Sequence, residues 1–103
     1  MPLFLTLTGQ SNREYVFTAL PLNRKLPETA GVYVVTNAIP DDAGQVHHTP
    51  LQIGSCRDLS KLPNEPAIQD LRSEGANMIC LKIEEVTENR HRIEQDLKAK
   101  YFS

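Results

Sequence analysis

Few side chains in this chain stand at spacings that chemistry could use. His91 and Glu94 lie three residues apart near the C-terminus, where a helix would set both on one face at a usable metal-ligand spacing. Glu94 also follows Arg90 by four residues and precedes Lys98 by four, so it equally suits a row of exposed ion pairs worth about 0.2–0.5 kcal/mol each. His47 and His48 beside Asp41 and Asp42 are a second set of ligand types, but the surrounding prolines and glycine read as a flexible polar loop. Tyr33 sits in a Val-rich run, where a tyrosine ordinarily packs its ring and leaves its hydroxyl at the edge. Cys56 and Cys80 share no short spacing with each other or with a histidine pair, which leaves a zinc cage without support. Cys80 reads as a small hydrophobe in a strand, and only Arg57 stands near Cys56 to favour a thiolate.

These residues need elements to position them. Leu3, Leu5 and Leu7 alternate with Phe4, Thr6 and Thr8, a turn cluster follows at 9–12, and Glu14 to Leu20 alternates again, with Tyr15, Phe17 and Ala19 on one face. Residues 1–22 therefore read as an N-terminal β-hairpin, and 21–30 as a connecting loop. Gly31 to Thr36 is β-branched and aromatic and predicts a strand. The stretch 37–50 holds two prolines, a glycine and two aspartates and reads as a long loop, with Leu51 to Gly54 as the return strand. Antiparallel pairing of these two strands would let Tyr33 and Gln52 share a face. Asn64 suits an N-cap for a short helix over 65–74, with Pro66 in its first turn and Gly75 as its stop. Residues 78–84 are apolar on both faces, as in a strand covered from both sides. Thr87 or Asn89 would cap a helix over 88–101 whose core edge is Ile93, Leu97 and Tyr101. The expected architecture is α/β: a small, mixed or antiparallel central sheet flanked by helices, in a single domain 1–103 that carries the N-terminal hairpin.

Three segments in order, Gly31-Val32-Tyr33, then Gln52-Ile53-Gly54, then the stretch Glu94 to Leu97, make residues 26–103 resemble a GIY-YIG nuclease domain, with 1–22 as an extension outside it. In that family a glutamate holds a divalent metal, an arginine offsets charge on the phosphate and a tyrosine helps activate water. The resemblance implies Tyr33 and Glu94 as catalytic or vestigial positions, and Mg²⁺ or Mn²⁺ as the cofactor if the domain is active, with Glu94 as its ligand; His91 joins Glu94 as a metal candidate through its helical spacing alone. It also shows two departures. Gln52 stands where the second motif begins with tyrosine, and Leu62 falls where the arginine belongs, leaving Lys61 as the one nearby cation that could substitute. Glutamine does not ionise to serve as a base, and leucine neither bonds phosphate nor offsets charge. Loss of one charge-stabilising group typically costs about 10²–10³ in rate. The domain therefore reads as a catalytically degenerate relative that binds or interacts, through a protein partner or a homo-oligomer contact in which the hairpin's outer edge could take part. A divergent metal-dependent nuclease using Tyr33, Glu94 and Lys61 is the second reading.

Composition fits one ordinary globular domain: 103 residues, 40% apolar and 23% charged. The formal net charge is -2, and the C-terminal stretch 88–103 carries only four cations against three anions, so no basic stripe favours tight nucleic-acid binding. No apolar run approaches the ~20 residues of a membrane helix. The start, Met1 to Leu5, lacks the charged and long apolar regions of a secretory signal, so a cytoplasmic protein is expected, with no membrane contact.

Overall fold

The computed structural model describes residues 3–102. Met1 and Pro2 of the expected hairpin and Ser103 of the expected core lie outside the described residues. The described residues form five strands: β1 (Leu3–Thr8), β2 (Glu14–Pro21), β3 (Gly31–Pro40), β4 (Val46–Cys56) and β5 (Met78–Ile83). A 3₁₀ helix (Leu59–Asn64) and α1 (Pro66–Arg72) lie between β4 and β5, and α2 (Thr87–Tyr101) ends the described chain. All pairings are antiparallel, in the order β1-β2-β5-β3-β4. The N-terminal hairpin is thus not appended to a separate core: β2 pairs with β5 and extends the same sheet.

Alternation along the strands sorts the core into two layers. Tyr33, Val35, Ile79 and Leu81 pack beneath the 3₁₀ helix and α1, against Leu59, Leu62, Ile68 and Leu71. Val32, Val34, Ile53, Cys80 and Phe17 face α2 through Ile93 and Leu97. The expected helical edge of α2 holds, with Ile93 and Leu97 buried and Tyr101 half-buried. β5 lies between β2 and β3 with its apolar residues divided between both layers, as its double-sided pattern requires.

Several local expectations are corrected. The stretch 37–50 is not a long loop but most of a paired ribbon, in which Asn37 to Pro40 of β3 face Val46 to Thr49 of β4. Its prolines do not break it, because Pro40 ends a strand and Pro50 sits on the sheet's edge beside a register shift at Val35/Thr36, where a ladder N–H is dispensable. Asp41 closes the tip by accepting the N–H groups of Ala43 and Gln45, each at 2.9 Å. Asn64 does not cap α1: it belongs to the 3₁₀ helix, and Glu65 precedes Pro66 at the first helical position. Gly75 follows the end of α1 at φ +100°, a left-handed conformation that favours glycine. Neither Thr87 nor Asn89 caps α2. Val86 takes that position without a side-chain bond, and the Thr87 hydroxyl accepts from Arg90 instead, at 3.0 Å.

Candidate functional site

The candidate site lies where β4, one of the two edges of the sheet, meets the C-terminal half of α2. Tyr33 stands opposite Gly54 across the β3–β4 ladder, and its ring lies over the glycine, where a Cβ would come within 2.5 Å of the phenol oxygen. A side chain at residue 54 would displace the tyrosine. Gln52, two residues away on the same face, donates from Nε2 to the Tyr33 hydroxyl at 3.1 Å. The expected shared face of Tyr33 and Gln52 is therefore present, with glutamine holding the phenol.

Glu94 arrives from the other side. Ser55 pairs with Val32 and so points to the α2 layer, one residue out of phase with Gly54. Its hydroxyl donates to Glu94 Oε1 at 2.5 Å, and Lys98, one turn further along α2, donates from Nζ to Glu94 Oε2 at 2.6 Å. Tyr33 and Glu94 thus project from opposite faces of the sheet. Both nevertheless line one cleft of about 450 Å³ that wraps the β4 edge, together with Gln52, Ser55, Lys98 and Phe102.

Protonation follows from these contacts. Burial acts to raise the Glu94 pKa, but the hydrogen bonds from Lys98 and Ser55 outweigh it and hold the carboxyl below its usual range. The Tyr33 phenol is pushed up, chiefly by burial and further by the nearby carboxylates Glu65 and Glu94, against an opposing contribution from the Gln52 bond.

The other candidates lie elsewhere. Lys61 is exposed on the 3₁₀ helix, and His91 is exposed on α2; neither lines the cleft. Leu62 is 1% exposed, packed into the core beneath the 3₁₀ helix. The potential ligands of the ribbon separate. His47 pairs with Asp41 at 2.7 Å in the open, whereas His48 turns inward and bonds the buried Thr36 hydroxyl at 2.9 Å. Burial raises the Cys56 thiol pKa and pushes Cys80 up to about 11, so both favour the thiol form. Among the described residues no three His, Cys, Asp or Glu side chains converge.

Of the ion-pair row expected around Glu94, only the Lys98 half forms. Arg90 is 4% exposed and turns away, donating from Nη1 to the carbonyls of Glu84 and Glu85 at 3.1 and 2.8 Å. Sequence reasoning missed Ser55 as a partner of Glu94, because that contact depends on strand register and helix placement together. It also missed Asp96, which accepts from the Ser11 backbone and hydroxyl at 2.8 and 2.6 Å and from the Tyr15 hydroxyl at 2.7 Å. No protein-family model matches the chain, and no curated protein or solved structure matches it either.

Proposed function

We propose that this protein is a catalytically degenerate GIY-YIG-like domain that acts as an interaction module, with a protein partner or a second copy of itself as its target. The observation that carries the reading is the double engagement of Glu94. The carboxylate that a divalent cation would need is held by the Ser55 hydroxyl on one oxygen and by the Lys98 ammonium on the other. Mg²⁺ demands a near-octahedral shell of oxygens, and His91, the second candidate ligand, stays outside the cleft, so the residues present do not fit that ion.

The remaining positions support the same conclusion. A phenol whose pKa is raised is a weaker candidate for activating water than an ordinary tyrosine. Position 62 is filled by a core leucine, so no guanidinium reaches the cleft from there. Gln52 contributes a neutral amide that positions the phenol and carries no charge to a phosphate.

The test is hydrolysis. Purified protein is incubated with single- and double-stranded DNA and RNA in the presence of Mg²⁺ or Mn²⁺, beside a Glu94→Ala variant. The expected result is no cleavage by either protein above the metal-only background. Cleavage by the wild type that disappears in Glu94→Ala would overturn the proposal in favour of a divergent nuclease built on Tyr33, Glu94 and Lys61.

A further inference from the structure

The two edges of the sheet are protected very differently. On β4 the edge is interrupted by Pro50 and a register shift, and the His47–Asp41 pair sits near the ribbon's tip. Such features discourage strand addition. β1, at the opposite edge, is Leu-Phe-Leu-Thr-Leu-Thr, with no charge, no proline and an unbroken register against β2 from Leu3↔Ala19 to Thr8↔Glu14. Every second residue of this strand presents outward an N–H and C=O that no strand among the described residues pairs.

The side chains around that edge are also uncovered. Leu3 is 60% and Phe4 66% exposed, and Val16 on the neighbouring strand is 53% exposed. Phe4, Thr6, Val16 and Thr18 share the face that the 3₁₀ helix and α1 leave open, because those helices pack only over the β3–β5 side. The face continues into a hollow of about 310 Å³ whose lining includes Val16, Thr18, Leu20, Lys82 and Ile83. Phe4, Thr6, Val16 and Thr18 carry no charge, and Glu14, opposite Thr8, is the charge that follows them on this face, so a second copy of the four side chains meets them without like-charge repulsion.

We infer that β1 pairs antiparallel with β1 of a second copy, about a two-fold axis at Leu5, joining two five-stranded sheets into one of ten. This rests on the reading of the protein as an interaction module and names its partner. An axis at Leu5 keeps the two faces in register, as antiparallel pairing demands, and sets Leu3 opposite Leu7 and Phe4 opposite Thr6 in both directions. Both exposed large side chains of the strand then gain apolar or neutral neighbours, and the two Phe4 rings take diagonal positions within aromatic reach. A contact made by one short strand falls at the low end of interface sizes, below about 1,200 Å² in total, where weak, transient association is usual.

Sedimentation velocity across a concentration series reaching about 200 µM reads the assembly directly. The wild type is expected to pass from monomer to dimer. Phe4→Lys with Thr6→Lys places like charges opposite each other at both crossings and is expected to leave a monomer with an unchanged circular dichroism spectrum. Phe4→Glu with Thr6→Lys places opposite charges at the same crossings and is expected to restore the dimer. Ile39→Lys with Val46→Lys, at the exposed ribbon, is expected to leave the dimer intact. A monomeric wild type, a dimer that survives the double-lysine change at β1, or failure of the charge-paired variant to dimerise would each overturn the inference. The nuclease assay is independent of these outcomes, so the failure of the dimer and the failure of the degenerate-site reading are told apart.

Discussion

Glu94 shows how much of a residue's role its spacing can disclose. The four-residue step to Lys98 was legible, since helical geometry alone brings the two together, and it forms at 2.6 Å. The equal step to Arg90 was not informative, because the carbonyls of Glu84 and Glu85 at the turn into α2 take that guanidinium inward. No pattern in the sequence marks an acceptor made of backbone. Replacing Lys98 with Met removes a hydrogen bond and a charge from Glu94, so its pKa should rise towards or above the usual glutamate value; an NMR titration of the carboxyl carbon checks this, and an unchanged midpoint would contradict the pairing. The sign for stability follows. A carboxyl depressed in the folded state stabilises it fully above the unfolded pKa, and that contribution fades as pH falls through the folded value. Wild type should therefore lose more stability on acidification below the usual glutamate pKa than Lys98→Met does, as denaturant midpoints across pH would show.

Among the elements, the strands and α2 were readable from periodicity, while the ribbon was hidden by its composition. Prolines and aspartates read as loop formers, yet Pro50 is tolerated on an edge strand and Asp41 builds the tip. Pairing turns His48 inward, a contact invisible without the register, and burial lowers its pKa. A histidine depressed in the folded state takes up protons more readily when unfolded. Its stabilising effect is present above the unfolded pKa near 6.5 and is lost as pH falls below it. His48→Gln should flatten this part of the stability profile, which thermal melts between neutral and mildly acidic pH would reveal. Leu62, at the position where the family's arginine was expected, is held by α1 and the sheet; Leu62→Ala should cost about 2–5 kcal/mol in urea unfolding. A small effect there would show that the 3₁₀ helix contributes little to the core.

At the scale of the molecule, the sequence disclosed the α/β class and both hairpins but not how they join. The β2–β5 pairing links residues some sixty positions apart, and only tertiary packing decides it. Asp96 then fastens the turn of the first hairpin to α2 through Ser11 and Tyr15, so Asp96→Ala should speed amide exchange around residues 9–15 while leaving β3–β5 protected. The cleft depends on the same assembly, because Tyr33 and Glu94 line it from opposite faces of the sheet at the β4 edge. The most direct test is whether Glu94 keeps its internal partners when a cation is offered. In a paramagnetic titration of isotope-labelled protein with millimolar Mn²⁺, the amide signals of Gln52 to Ser55 and of Glu94 are expected to keep their intensities relative to the rest of the protein. Selective loss of those signals, centred on Glu94, would contradict a cleft whose cation is Lys98.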